Sequence, residues 1–296
     1  MGQNQKLDPA EIVTCIWCGD THPRAEMTDE HSVPEGLGGK DYYVDGSCQR
    51  CQNITTKLEL EVLRKELQNV RAFWGFPNNN KKKKTPKLKM TVEGRFGSTW
   101  KTVDLPIKDL RAIGVIPEFV NRPRLLGPAS SYFDWFDFQT MIFGSTKSFY
   151  VNHGFQEIRI PSMTMRMDFI CRLLAKIAHV HACKHVGMDK FHALLWPVVK
   201  GDEDRLPFFV GASRILDGSS RMHSVTHYWA SSEGMEFLCV SIRLFKSWAF
   251  PTYEVVVGNR KSHSSEALDL SGITGLSPDG GNSLFRELKP APNVLM

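Results

Sequence analysis

Apolar residues along the chain recur with two different periods, which predicts a protein containing both helices and strands. A helical period begins near Cys51, and a second, longer one runs from about Met165 to Val186. Shorter alternating or continuous apolar runs predict strands, and the last two of these are expected to form a hairpin across residues 246–251. The helical positions are Ile54, Leu58, Leu60, Leu63, Leu67 and Val70 in the first helix, and Phe169, Leu173, Ile177 and Val180 in the second. The predicted strands are Lys89–Glu93, Gln156–Ile160, Leu206–Val210, Phe237–Phe245 and Thr252–Val257.

Helix-breaking residues divide this pattern into two parts. Gly75 and Pro77 end the first predicted helix, and the residues that follow are polar, basic and rich in asparagine. We therefore predict three segments: an N-terminal module over 1–75, a basic linker over 76–88, and a larger α+β domain over 89–296. The expected fold class of the whole chain is α+β.

Composition agrees with a globular protein. Of the 296 residues, 42% are hydrophobic and 23% are charged, which excludes a disordered or collagen-like chain. The apolar runs are shorter than the ~18 residues that a membrane span needs, and the N-terminus lacks the pattern of a secretory signal. We expect a soluble, cytoplasmic protein with no membrane partner.

Positive charge is concentrated in one short segment. Residues 1–75 hold 8 Lys and Arg against 12 Asp and Glu, whereas residues 76–90 hold six lysines and no acid. Such a run is typical either of a solvated tether or of a phosphate clamp that binds nucleic acid without reading its sequence. The candidate nucleic-acid-binding residues are Lys57 on the first predicted helix and Lys81, Lys82, Lys83 and Lys84 in the linker.

Four of the seven cysteines form two C-x-x-C pairs. An odd total argues against a disulfide framework, whereas two such pairs are typical of a tetrahedral zinc site. The other three cysteines, at 171, 183 and 239, lie among apolar residues and are expected in the core. The predicted ligands of a structural Zn²⁺ are Cys15, Cys18, Cys48 and Cys51.

The segment between the two cysteine pairs carries a recognisable combination of residues. Glu30-His31 is followed by Pro34 and by Leu37-Gly38-Gly39, and the second cysteine pair is followed by Gln52 and Asn53. In this order the residues resemble the HNH endonucleases, the ββα-metal or His-Me finger class, in the form that carries a four-cysteine zinc site. The resemblance covers about residues 12–72.

The resemblance implies a metal-dependent endonuclease that hydrolyses phosphodiester bonds in DNA. His31 is the candidate general base, because a neutral imidazole accepts a proton near pH 7. Glu30 is the candidate ligand of a catalytic Mg²⁺ or Mn²⁺, since a carboxylate oxygen suits such an ion. Asn53 is favoured as the amide ligand, and Gln52 stays an alternative. Because two cuts in a duplex usually need two active sites, a homodimer is one expectation for the assembly.

The sequence departs from the family pattern at two places, and this leaves other functions open. Tyr43 occupies a position where the family often has the asparagine that orients the base, so Asp45 or a backbone carbonyl would have to orient His31. Gln52 occupies the position that usually holds Asn or His. One alternative is a catalytically degraded zinc module that binds nucleic acid or a protein. Another is that residues 89–296 carry the main function of the protein and that the nuclease acts as their effector, as in restriction or anti-phage defence.

The second predicted helix carries two histidines one turn apart. His181 and His185 share a helix face, an arrangement that suits a metal ion. The sequence shows no acidic partner near them, so ordinary core or surface positions are the favoured interpretation.

Overall fold

The structure is a computed structural model that combines helices with antiparallel sheets, which confirms the α+β class. No helix within the described residues is long and apolar enough to cross a membrane. The described residues are 8–68, 70–71, 75–76, 89–106, 112–127, 136–143, 153–159, 163–213, 221–246, 250–261, 268 and 285–288. The predicted linker lysines Lys81, Lys82, Lys83 and Lys84 lie outside them.

Residues 8–68, called here the four-cysteine module, contain two hairpins followed by a helix. The first hairpin pairs β1 with β2, and the second pairs β3 with β4, both antiparallel. The helix α1 starts directly after the second hairpin and continues into one π-helical turn. The elements are β1 Ile12–Thr14, β2 Thr21–Pro23, β3 Met27–His31, β4 Tyr42–Cys48, α1 Gln49–Glu61 and the π-turn Val62–Glu66. Two 3-10 turns lie at Arg24–Glu26 and Glu35–Leu37.

The described strands between residues 89 and 166, together with one strand at residues 285–288, form small antiparallel sheets. One has three strands in the order β6-β5-β9, and two others each have two strands, β7 with β8 and β10 with β16. The strands are β5 Lys89–Phe96, β6 Thr99–Pro106, β7 Ala112–Phe119, β8 Phe136–Phe143, β9 Glu157–Arg159, β10 Met163–Arg166 and β16 Phe285–Leu288.

The largest sheet among the described residues has five strands, all antiparallel. Its order is β11-β15-β14-β13, and β12 also pairs with β15. The strands are β11 Phe191–Ala193, β12 Val210–Ala212, β13 Ser224–Ser232, β14 Met235–Arg243 and β15 Thr252–Arg260. The helices of this part are α2 Met167–His185, α3 Trp196–Lys200 and α4 Leu206–Phe209, with 3-10 turns at Arg124–Leu126 and Glu203–Arg205.

Helix α2 lies at the centre of the molecule. One side packs on β14 and β15 of the largest sheet, and another side packs on α1 and β4 of the four-cysteine module. Fifteen of its nineteen residues are buried, among them the polar residues Lys176, His179 and His181. One hydrophobic core runs from Cys15 in the module to Val257 in the sheet. The module and the larger sheet therefore share a core through α2.

Most predicted elements are confirmed, and one is wrong in part. The predicted strand Leu206–Val210 is a short helix, α4, up to Phe209, because Pro207 lies in its first turn, where proline favours helix initiation. The second predicted helix and the hairpin of β14 and β15 are confirmed. The first predicted helix is also confirmed, although it is interrupted by the π-turn before Leu67. The strands predicted from residues 89, 156, 237 and 252 onward are present with shifted ends.

Candidate metal centres and the surroundings of His31

The four predicted zinc ligands come together as the sequence predicts. Their sulfur atoms all lie within 4.8 Å of one another, and those of Cys18 and Cys48 are 3.9 Å apart. Bonds of about 2.3 Å from four sulfurs to one ion give a tetrahedron whose edges are about 3.8 Å. The cluster could therefore hold a metal ion such as zinc.

Local structure explains how each cysteine pair reaches this point. Cys15 and Cys18 lie in the turn between β1 and β2, where the N–H of Gly19 donates to the carbonyl of Cys15 at 3.0 Å. Gly19 has a φ of 76°, a conformation that favours glycine and lets the chain reverse directly after the second sulfur. Cys48 ends β4, and Cys51 lies in the first turn of α1. The junction of strand and helix thus presents the second pair.

The chemistry of the thiols also fits a cation. Burial, followed by the charge of Cys15, raises the pKa of Cys51. The backbone N–H of Cys48 donates to the sulfur of Cys15 at 3.4 Å. Four thiolates this close repel one another unless a positive ion lies between them, so the ligand set needs a metal for all four to ionise.

Glu30, the predicted ligand of the catalytic ion, has a different set of partners. Glu30 is only 4% exposed, and its Oε1 lies 2.9 Å from the Nζ of Lys176 on α2. Its Oε2 accepts hydrogen bonds from Thr55 Oγ1 at 3.2 Å and from Trp17 Nε1 at 3.4 Å. Both carboxylate oxygens are thus occupied by protein donors in the interior.

Lys176 occupies the place where a cation was expected beside Glu30. Its Nζ is also 2.7 Å from Oε1 of Glu59, and it donates to the backbone carbonyl of His31. Lys176 is fully buried. Burial alone lowers the pKa of its ammonium group, but the charges of Glu30 and Glu59 outweigh this and raise the pKa. We call Lys176, Glu30, Glu59 and His31 the Lys176 network. The ammonium group of Lys176 has three oxygen partners, one for each of its N–H donors.

His31 lies at the end of β3, on the side opposite to Glu30, because neighbouring side chains of a strand alternate. It is partly exposed and pairs across the hairpin with Tyr42, whose ring centre is 5.5 Å from that of the imidazole. Within the described residues, neither imidazole nitrogen of His31 takes part in a hydrogen bond. The ring therefore keeps an acceptor nitrogen that is available for a proton.

The other residues predicted around His31 are not brought together with it. Asn53 is exposed, and its Oδ1 accepts a hydrogen bond from Nε2 of Gln49 at 3.0 Å; the same group donates to Gln52 Oε1 at 3.3 Å. Asp45 binds Arg24 at 2.8 Å and does not orient His31. Lys57 is exposed on α1. Neither Glu30 nor His31 belongs to any cluster of potential metal ligands among the described residues.

The Leu-Gly-Gly motif forms a tight structural turn after β3. A Cβ atom on Gly39 would lie 1.9 Å from the carbonyl oxygen of Val33, and Gly38 has a φ of 84°. Arg71 fastens this turn to the helical segment by donating to the carbonyls of Gly36 and Leu63, both at 2.9 Å. The glycines of the motif are thus needed for close backbone packing beside His31.

Sequence reasoning missed the partners that α2 supplies. Lys176, His179 and Cys183 follow one face of the helix at spacings of three and four residues. His179 Nε2 donates to the carbonyl of Ile16 at 2.7 Å, and its ring stacks on Trp17 at 4.4 Å between centres. Burial lowers the pKa of His179 to about 4, so it is neutral near pH 7. The sequence did contain one signal for these contacts, because Lys176 and His179 interrupt the apolar pattern of the second predicted helix and polar residues inside such a helix need partners.

Comparisons with known proteins found no relative of this chain. No family model matches the chain, and neither the search of curated proteins nor that of solved structures found a significant match.

Proposed function

We propose that the chain is an HNH-type, metal-dependent endonuclease that hydrolyses phosphodiester bonds in DNA, with His31 as the general base. The observation that carries the proposal is the hairpin β3–β4, which leads through the second cysteine pair into α1 and leaves His31 partly exposed at the strand end. The resemblance of residues 12–72 to HNH endonucleases supplies the reaction class.

In this proposal the four cysteines hold a structural Zn²⁺. Its ligands come from the turn after β1 and from the junction of β4 with α1, so the ion fixes the hairpins to α1. His31 accepts the proton of the attacking water, since its imidazole nitrogens have no partner within the described residues. The amides of the partly exposed Gln52 and the exposed Asn53 lie in the first turns of α1, where a DNA backbone can reach them. A bound Mg²⁺ or Mn²⁺ would neutralise the charge that develops on the phosphate.

The Lys176 network sets a condition for this activity. For Glu30 to bind a divalent ion, its carboxylate has to exchange the ammonium group of Lys176 for that ion. Removing the lysine's positive charge is costly, because it leaves the buried carboxylate of Glu30 without a cation, and unpaired buried charges are strongly destabilising. In an active enzyme, either Glu30 makes this exchange when DNA and metal bind, or the ion is held without it.

The ion pair between Glu30 and Lys176 favours a second candidate function, a zinc module that binds nucleic acid or a protein without cleaving it. In that case Lys176 replaces the catalytic ion permanently, and Glu30 holds the module against α2. Such a protein would bind DNA with an affinity that falls as salt rises, because lysine contacts to phosphate release counterions. The two candidates differ in one measurable property, the hydrolysis of DNA.

Cleavage of supercoiled plasmid in Mg²⁺ and in Mn²⁺ tests the proposal. We expect the wild type to nick or linearise the plasmid, and His31→Ala to be about 10²–10⁴-fold slower, the usual contribution of a general base. His192→Ala, a histidine on β11, is the matched control and should cleave like the wild type. Zinc content and thermal unfolding show whether each variant is folded.

Two outcomes would contradict the nuclease. Equal cleavage by the wild type and His31→Ala would exclude His31 as the base. Absence of cleavage by a folded, zinc-loaded wild type that still binds a labelled DNA duplex would favour the second candidate.

A further inference from the structure

Three elements bring a carboxylate and three imidazoles together beside the four-cysteine module. Asp41 precedes β4, His181 and His185 lie one turn apart on α2, and His227 lies on β13. Ligand atoms of Asp41, His181 and His185 all lie within 4.8 Å of one another. We call these four residues the Asp41 cluster. It shares no residue with the cysteine site and none with the proposed nuclease site.

Two distances within the Asp41 cluster are close to those between neighbouring ligands of one ion, and the group whose ligand atoms all approach one another consists of Asp41, His181 and His185. Nε2 of His185 is 3.1 Å from Oδ2 of Asp41, and Nε2 of His181 is 3.2 Å from Nδ1 of His227. Bonds of about 2.0–2.1 Å to a tetrahedral ion place neighbouring nitrogen and oxygen ligands about 3.3–3.4 Å apart. The rings of His181 and His185 are 4.4 Å apart and tilted by 39°, so their nitrogens converge without stacking.

The surroundings of the cluster allow an ion to enter from solvent. His181 is 7% exposed and forms the floor, whereas His185 is 39% exposed and His227 is also exposed at the rim.

One other charged group among the described residues faces the cluster. Lys184 binds Oδ1 of Asp41, which leaves Oδ2 directed at His185. Such a partner on the second oxygen is typical of metal-binding carboxylates, which are themselves held by hydrogen bonds. Without an ion, the same atoms are satisfied by a hydrogen bond from His185 to Asp41 and another between His181 and His227. To bind a metal, Nε2 of His185 has to give up the proton that it shares with Asp41, so the neutral imidazole then carries its proton on Nδ1.

We propose that Asp41, His181 and His185 form a second transition-metal site of the zinc class, with His227 lying next to His181. Imidazole nitrogen with one carboxylate suits Zn²⁺, whereas Mg²⁺ and Ca²⁺ prefer oxygen ligands alone. Asp41 comes from the four-cysteine module, and both histidine ligands come from α2. An ion at this point ties the module to the rest of the protein from the outside, independently of the four-cysteine site.

Zinc stoichiometry tests this site in the full chain. After equilibration in a zinc buffer, we expect two zinc ions per wild-type chain and one per His185→Ala chain. The half-exposed position of His185 allows the variant to fold. Its affinity for the second ion should fall by at least ~100-fold, more than the ~10–100-fold that follows loss of an outer partner. His192→Ala, which lies in neither cluster, should keep both ions.

Cobalt substitution separates the two sites. Thiolate ligands give Co²⁺ an intense charge-transfer band in the near ultraviolet, whereas an imidazole and carboxylate site gives weaker visible bands alone. We expect His185→Ala to lose the second spectrum and to keep the first. A wild type that binds one zinc, or a His185→Ala variant that keeps two, would overturn the proposal. Both readouts are independent of DNA cleavage, so a failed nuclease assay leaves this test intact.

Discussion

Lys176→Met tests whether the Lys176 network holds the four-cysteine module against α2. The substitution keeps most of the side-chain volume and removes the positive charge between Glu30 and Glu59. Removing one partner of a buried ion pair costs about 3–5 kcal/mol. Because Glu30 keeps its bonds from Trp17 and Thr55, we expect the lower end, about 3 kcal/mol of the free energy of unfolding.

Urea and thermal unfolding of the zinc-loaded protein measure this loss. At about 2–4 °C per kcal/mol, the melting temperature should fall by roughly 6–12 °C. Lys190→Met is the matched control, because Lys190 pairs with Asp189 at the surface, where both side chains are more than 60% exposed. The control should leave the melting temperature almost unchanged, since exposed ion pairs contribute little to stability.

A double variant shows whether the cost comes from the unpaired carboxylate. In the Lys176→Met background, Glu30→Gln removes the charge that has lost its partner, so it should recover part of the stability. The same change alone should destabilise the wild type, and the two effects should therefore not add. Two results would contradict a buried ion pair between Glu30 and Lys176. One is a loss of stability in Lys176→Met as small as that in Lys190→Met. The other is additivity of the stability losses of Lys176→Met and Glu30→Gln.

Three further predictions follow from other parts of the structure. Cys48→Ser should lose the zinc of the four-cysteine site and unfold the module, whereas Cys239→Ser, in the core of β14, should keep that zinc; a stoichiometric, well-folded Cys48→Ser protein would contradict this. Gly39→Ala should lower the free energy of unfolding by about 1–3 kcal/mol, because its methyl group would overlap the carbonyl of Val33, and an unchanged urea midpoint would show that the turn can open. The pKa of His179 is about 4 in the folded protein and about 6.5 in the unfolded chain. As pH falls, the unfolded chain therefore binds a proton at this residue before the folded protein does. We expect about 3 kcal/mol of the free energy of unfolding, fully present above pH 6.5, to be lost between pH 6.5 and 4. His179→Gln, which keeps a donor for Ile16 but does not titrate, should show a shallower loss over this window, and an equal slope would contradict the assignment.

The parts of the fold that were predictable from sequence depend on short-range patterns. Each C-x-x-C pair brings two sulfur atoms to one point through a local turn. The spacing within the pairs of Cys15 and of Cys48 was therefore enough to predict the four-cysteine cluster. The spacing of Phe169, Leu173, Ile177 and Val180 likewise predicted α2. The strand predicted from Leu206 failed because an apolar run of this length also fits a buried helical turn.

What the sequence did not reveal depends on contacts between distant segments. Glu30 and Lys176 are separated by 146 positions, and no periodicity of either segment shows that they meet. Asp41 and His185 are 144 positions apart. The sequence therefore presented His181 and His185 as a pair without an acid partner, and the structure supplies one.

The polar residues of α2 explain why the four-cysteine module and the larger sheet share one core. A helix that packs on a sheet alone needs one apolar face, and its opposite face stays polar and solvated. Here Lys176 and His179 lie on the opposite face and are fully buried, which is tolerable only because Glu30, Glu59 and the carbonyl of Ile16 meet them there. Those partners all belong to the module. Its hairpin and α1 thus complete the burial of α2, and α2 in turn fixes the backbone at His31 through its carbonyl. Any chemistry at His31 therefore depends on residues on both sides of residues 76–88.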